Sequence, residues 1–89
     1  MHEFSLLANL LRKIEDTAQR ENASRVVSVS VKIGALAHIS GSHFREHFEH
    51  AVRGTRCEGA ELIIEEDSDP NAPDAQSILL IRIEVEDED

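Results

Sequence analysis

The chain has 89 residues, a length that suits one small domain with a thin hydrophobic core. Eighteen acidic residues against nine basic ones give a net charge of −9, which argues against nucleic acid or an anionic membrane as the partner. No apolar run could span a bilayer, no basic signal-peptide start is present, and the single cysteine excludes an internal disulfide, so we expect a cytoplasmic protein.

Residues 5–22 have the apolar spacing of an amphipathic helix. Charged and amide side chains occupy the opposite side of this helix. Ser5 is the predicted N-cap, and Asn22 suits the left-handed conformation that ends many helices. The predicted buried positions are Leu6, Leu7, Leu10, Leu11, Ile14 and Ala18.

The next two elements are a strand and a second helix. Residues 25–33 alternate apolar with polar positions, which predicts a strand with one buried face formed by Val27, Val29, Val31 and Ile33. Gly34 ends this strand, and Ser42 is the predicted N-cap of a helix over residues 43–53. The side chains expected to face inward from that helix are Phe44, Phe48, Ala51 and Val52.

Two further strands complete the chain. Residues 60–67 predict the second strand, and residues 68–77 predict a loop because they include both prolines and no large apolar side chain. Residues 78–85 predict the third strand, which we expect to return antiparallel beside the second. Its expected apolar face is Leu79, Ile81, Ile83 and Val85, with Ile78 and Leu80 on the other face.

These elements predict one α+β domain over residues 1–89, in the order αβαββ, with a three-stranded mixed sheet and two helices on one face. If the first two strands are parallel, their crossover is right-handed. The helices leave the second face of the sheet and its edges uncovered, with Ser28, Ser30 and Lys32 on the first strand. This exposure predicts association through the sheet, as a homodimer or with a partner, involving the third strand.

Several histidines could carry chemistry. His43, His47 and His50 lie along one side of the second helix, and the i, i+4 pair has a metal-ligand spacing. Ordinary surface pairing, such as Glu46 with His50, is the favoured interpretation of this row. His38 lies alone in a loop and is a ligand only if the fold brings it to others.

No arrangement of side chains indicates catalysis. Cys57 has no second cysteine with which to form a CxxC pair, so a half-buried small residue is the expected role. The sequence has no glycine-rich phosphate loop, no Ser/His/Asp spacing and no isolated carboxylate pair. We therefore do not expect an enzyme.

The N-terminal triplet (Met1, His2 and Glu3) is the strongest chemical signal. Its α-amine, the amide nitrogen of His2 and the His2 imidazole can close two fused chelate rings around one ion. Glu3 can supply a fourth donor through its carboxylate. Nitrogen-rich, near-planar coordination suits Ni(II) or Cu(II) better than zinc, and it requires a free amine at Met1.

Nearly the whole chain resembles the HypA/HybF family of nickel-insertion proteins, which serve the maturation of nickel–iron hydrogenase and, in some bacteria, urease. The resemblance implies a nickel metallochaperone with Ni(II) as its cargo, the N-terminal triplet as its metal site and maturation proteins of the hydrogenase or urease pathway as partners. The matching stretches are MHEFSLLANLL, RVVSVSVKIGAL, FREHFEHAVRGT, CEGAELIIEE and LLIRIEVED.

One departure from the family is large. Its members carry a zinc module, built from two CxxC pairs, between the second and third strands, where this chain has only DSDPNAPDAQSI. The resemblance therefore implies no structural zinc here. The alternative function is a zinc-free, diverged interaction module of HypA type, which binds a protein partner and has no role in metal delivery.

Overall fold

The computed structural model describes the backbone of residues 2–87 and the side chains of residues 5–87. The elements follow the predicted order αβαββ, and the domain is of the α+β class. Their bounds are α1 His2–Arg20, β1 Ala23–Ile33, α2 Gly41–Ala51, β2 Glu61–Glu66 and β3 Ile78–Asp87.

The three strands form a mixed sheet in which β1 is central. It pairs parallel with β2 and antiparallel with β3, so Val29 lies opposite both Leu62 and Ile83. The expectation that β3 returns beside β2 is wrong. The eleven-residue β1 and ten-residue β3 pair along most of their lengths, whereas the six-residue β2 offers a shorter partner. The loop after β2 therefore crosses the end of β1 to reach β3. The distance is two strand spacings, which is only about 10 Å.

A β-bulge changes the buried face at the start of β1. The pairing register shifts between Val26 and Ser28, so β1 has one more residue there than β3. Val26 is fully buried and Val27 is half-buried, which makes the predicted inward orientation of Val27 wrong. A single extra residue inverts the alternation of faces on its N-terminal side. Beyond the bulge, Val29 and the two following odd-numbered residues are buried as predicted.

A second irregularity changes the faces of β3. Ile81 has no partner in the register, since Leu80 pairs with Val31 and the next pair joins Arg82 to Ser30. Ile78 and Leu80 therefore share the core-facing side with Ile83 and Val85. The predicted apolar face is wrong at its first two positions, because Leu79 and Ile81 do not pack against the core.

The helix starts also differ from the predictions. Helix α1 begins at His2, so Ser5 lies inside the helix and is not its N-cap. The N-cap of α2 is Ser40, whose Oγ accepts a hydrogen bond from the amide of His43 at 3.2 Å, and Ser42 lies in the first turn. Asn22 has a φ of 54°, which confirms the left-handed end of α1.

Both helices pack on the same face of the sheet, as predicted. Their buried side chains and the inner sides of the strands form one continuous hydrophobic core. Ala51 is the exception among the predicted inward residues of α2, since it is exposed, whereas Val52 caps the helix and is buried. The residues with the least exposed side chains are Ile14, Ala18, Val26, Val29, Val31, Phe44 and Phe48.

The outer face of the sheet lacks such a cover. Ile63 on β2 is 44% exposed and Ile81 on β3 is 54% exposed. Ser30 lies between these strands on β1, opposite Ile63 on one side and Arg82 on the other. Over the part of the chain that the structure describes, no helix has both the length and the apolar character needed to cross a membrane.

Candidate metal centre

The first helix determines the backbone conformation of two residues of the predicted metal site, His2 and Glu3. Because α1 begins at His2, the amides of His2 and Glu3 belong to the first turn, whose N–H groups have no acceptor within the helix. The His2 amide nitrogen is therefore not part of the helical hydrogen-bond ladder, and its use as a ligand breaks no helical bond. Met1 and the side chains of His2 and Glu3 lie outside the described residues, so this site stays a prediction.

A cavity of about 270 Å³ lies beside the first turns of α1. Ser5 and Leu6 contribute the helical side of the cavity, and His38 contributes an imidazole from the loop between β1 and α2. In the sequence, no local spacing relates His38 to the first helix. The fold places it beside Ser5 and Leu6 of α1 in one cavity.

The loop that carries His38 is held by the segment before β3. The amides of Gly34 and Leu36 donate to the carbonyls of Ser77 and Ala75, at 2.9 and 2.7 Å. A side chain at position 34 would collide with the Ala75 carbonyl, so only glycine permits this close approach. His38 itself has a φ of 63°, in the left-handed region that non-glycine residues seldom adopt.

A cluster of ion pairs holds the loop between β2 and β3. Lys32 on the outer face of β1 pairs with Asp67 at 3.7 Å and with Asp74 at 3.4 Å, at the two ends of this loop. The hydrogen bond and the charge of Asp74 raise the pKa of the Lys32 ammonium above its ordinary value. The Lys32 ammonium and these two carboxylates therefore anchor the loop to the sheet.

The histidine row of α2 has less support as a metal site. The rings of His43 and His47 lie 5.9 Å apart between centroids, and His50 is exposed in the last turn. Among residues 5–87, no three His, Cys, Asp or Glu side chains are grouped so that they could hold one ion. The structure thus brings two imidazoles of the row together and supplies no third ligand.

Cys57 is a buried structural residue. Its side chain is 4% exposed, and burial, with a smaller contribution from the charge of Glu15, raises the pKa of the thiol. The thiolate is the form that attacks electrophiles and binds metals, and this environment disfavours it. The expected role was a half-buried small residue, and the structure buries Cys57 more fully, within the core.

The αβαββ order and the three-stranded mixed sheet define a small α+β domain. Residues 1–70 match the family model described as hydrogenase/urease nickel incorporation, metallochaperone, HypA. The chain belongs to the HypA family. Because HypA proteins are metallochaperones and maturation factors, this membership confirms that the chain is not an enzyme.

Curated relatives agree with this assignment. The chain is 42% identical to the hydrogenase maturation factor HypA of Pyrococcus furiosus over 67 residues, which are 75% of this chain and 48% of that protein. It is also 42% identical to the HypA of Dechloromonas aromatica over 64 residues, which are 72% of this chain and 57% of the relative. The chain thus spans about half the length of the curated relatives that it matches.

Solved structures share the fold. The solution structure of the Ni metallochaperone HypA from Helicobacter pylori superposes with a TM-score of 0.79 at 23% identity, covering 99% of this chain and 100% of that one. A second solution structure of a HypA protein gives a TM-score of 0.73 at 24% identity, covering 99% and 98%. These likenesses confirm the predicted fold class.

Proposed function

We propose that this chain is a nickel metallochaperone that holds one Ni(II) at Met1, His2 and Glu3 and delivers it to a maturation partner of a nickel enzyme. The observation that carries the proposal is the family match, which begins at residue 1 and so includes the triplet. Membership in a family of hydrogenase and urease nickel incorporation supports nickel as the cargo. It also supports maturation proteins of those pathways as partners.

The chemistry of the donors fits this role. An α-amine, an amide nitrogen and an imidazole give three nitrogen donors, which suit Ni(II), and the Glu3 carboxylate adds an oxygen. The start of α1 has a partial positive charge that favours anionic ligands, including a deprotonated amide and the carboxylate. A site at a chain end is also open on one side, so a partner can approach the ion and replace its ligands one at a time.

Calorimetric titration of untagged protein with Ni(II) tests the proposal. We expect one Ni(II) per wild-type chain and loss of this binding in His2→Ala, because the variant lacks an imidazole and with it one of the two chelate rings. Cys57→Ser is the control, and its nickel affinity should equal that of the wild type because the thiol is buried. Unchanged nickel affinity in His2→Ala would contradict the proposed site.

The exposed outer face of the sheet favours a second candidate function. Ile63 and Ile81 are large apolar side chains in contact with water, on the two edge strands. A zinc-free interaction module that binds a protein through this face has no need of the N-terminal triplet. A folded, untagged wild-type chain that takes up no Ni(II) would favour this candidate over the metallochaperone.

A further inference from the structure

We propose that His43 and His47 form a two-histidine site on α2 for one divalent late transition metal ion, such as Zn(II). This site lies on a different element from the N-terminal triplet, and the proposal does not depend on nickel binding there. The spacing of the row alone favoured ordinary surface pairing. The ring geometry, the packing of the helix and the donor chemistry together support a metal site.

The distance between the two rings suits a shared ion. The imidazole centroids of His43 and His47 lie 5.9 Å apart, and the ring planes are tilted by 35°. An imidazole nitrogen binds zinc at about 2.0–2.1 Å, which puts the ring centroid about 3.2 Å from the ion and two rings on a tetrahedral ion about 5.2 Å apart. The observed pair therefore has to close by less than about 1 Å. Rotation about χ2, a soft torsion in histidine, can supply this change.

The helix that carries the two histidines is firmly held. Phe44 and Phe48 each follow one of the histidines in sequence, are each 1% exposed and belong to the hydrophobic core. Ser40 caps the helix by accepting a hydrogen bond from the His43 amide. Side chains four residues apart project from adjacent turns on one side of a helix. The backbone below both rings is thus fixed, and binding has to order only two side chains.

Donor chemistry and charge determine which ion fits. Neutral imidazole is a good ligand for zinc, copper and nickel, and the net charge of −9 attracts cations to the domain. The partial positive charge at the start of α2 opposes a cation, but it falls off within the first turn, and His47 lies in the second. Two protein ligands leave the other positions to water, so the ion exchanges readily and is lost on purification.

NMR of the imidazole signals during titration with Zn(II) alone tests the proposal. Zinc is the probe because the N-terminal triplet suits Ni(II) or Cu(II) better. His43→Gln and His47→Gln each remove one ligand, and glutamine is a good helix former. His50→Gln is the matched control, because His50 lies three residues after His47 and forms the other neighbouring pair of the row. Thermal melts without zinc check that each variant is folded.

We expect zinc to shift the ring signals of His43 and His47 in the wild type. Each of their glutamine variants should bind zinc at least about tenfold more weakly, since even changes to groups that only orient a ligand commonly cost 10- to 100-fold. His50→Gln and the Nα-acetylated wild type should keep the wild-type zinc affinity.

Wild-type zinc affinity in folded His43→Gln would overturn the proposal. A loss in His50→Gln as large as that in His43→Gln would overturn it too, because the ion would then not depend on the specific pair that the structure brings together. Loss of zinc binding on acetylation would place the ion at the N-terminus and would likewise contradict the site on α2. The nickel proposal is tested separately by His2→Ala, so the two failures are distinguishable.

Discussion

At the scale of single residues, Gly34 has a specific steric role. Because Gly34 has no side chain, the β1–α2 loop lies directly against the backbone of Ala75. Two hydrogen bonds to the segment before β3 reinforce this contact. The position therefore couples the loop that carries His38 to the loop between β2 and β3. Small residues at such close approaches cannot be replaced without moving one of the two backbones.

We predict that Gly34→Ala destabilises the fold by about 1–3 kcal/mol, the usual cost of forcing an extra methyl group into a filled space. The control is Gly41→Ala, whose new methyl group would meet the end of the Glu66 side chain, which can move aside. Urea unfolding of both variants measures the difference. A larger loss of stability in Gly41→Ala than in Gly34→Ala would contradict this account of the two glycines.

Residue-level errors in the sequence prediction have a common physical cause. Val26 and Val27 are adjacent in β1, so the local pattern does not decide which of the two faces the core until the bulge is placed. Four consecutive apolar residues at the start of β3 leave the same ambiguity. Bulges depend on the partner strand and the turn, so no local pattern specifies them.

At the scale of elements, the start of α2 shows how a cap is chosen. Ser40 and Ser42 both have a hydroxyl that could serve as the N-cap of α2. The N-cap in the structure is Ser40, whose backbone is extended, with φ −79° and ψ 160°. Gly41 then packs against β2 at the first helical position, where any side chain would meet Glu66. Tertiary packing thus selects between two caps that the sequence presents as equivalent.

We predict that Ser40→Ala destabilises the protein by about 1 kcal/mol, because it removes the acceptor for the His43 amide. Ser42→Ala is the matched control, with the same chemical change two residues later and a smaller expected effect. Thermal or urea unfolding compares the two. An equal or greater loss of stability in Ser42→Ala would indicate that Ser42 is the N-cap, as the sequence predicted.

Local sequence patterns also could not predict the order of the strands in the sheet. Consecutive strands usually lie side by side, which favoured a β2–β3 pair. The longer mutual pairing of β1 with β3 prevails in the structure, and the loop over residues 67–77 is long enough to cross one strand. Element types and lengths, in contrast, follow directly from periodicity, because the helical and strand segments have distinct repeats of apolar residues.

At the scale of the whole molecule, the chain folds around its hydrophobic core and one lysine–carboxylate cluster. Its single cysteine cannot supply a four-thiolate zinc site, so we predict that the purified protein contains no zinc. Its thermal midpoint should be unaffected by a strong chelator, because no structural metal contributes to the free energy of unfolding. Melting curves with and without chelator that differ by many degrees would show that a metal is structural.

The uncovered sheet face predicts association of two copies of the chain. Burial of Ile63 and Ile81 favours a dimer, whereas the net charge of −9 on each chain opposes it. Salt screens the repulsion and leaves apolar burial largely unchanged, so association should strengthen as salt is raised. Sedimentation should show weaker association for Ile81→Ser than for Leu36→Ser, an exposed apolar control away from the sheet.

A wild-type chain that sediments as a monomer at high protein concentration, in both low and high salt, would contradict the predicted dimer. The third strand stays the predicted contact, with different side chains than the sequence suggested. Leu79 and Ile81 now provide its apolar contribution outside the core, in place of Ile78 and Leu80.

One part of the candidate site could be predicted from the sequence, and another part could not. The N-terminal triplet is contiguous, so its chelating donors are visible in three letters of sequence. His38 is remote in the chain, and the fold places it beside Ser5 and Leu6 of α1 in one cavity. Side chains that come together through tertiary structure leave no local signal.

The most direct test of the central claim blocks the α-amine of Met1 and changes nothing else. Nα-acetylation of the untagged chain removes this donor while leaving every side chain in place. Calorimetry with Ni(II) should show one tight site in the free-amine protein and its loss in the acetylated protein, with identical thermal melts. Equal nickel affinity in the two forms would contradict a nickel site built on the chain's own N-terminus.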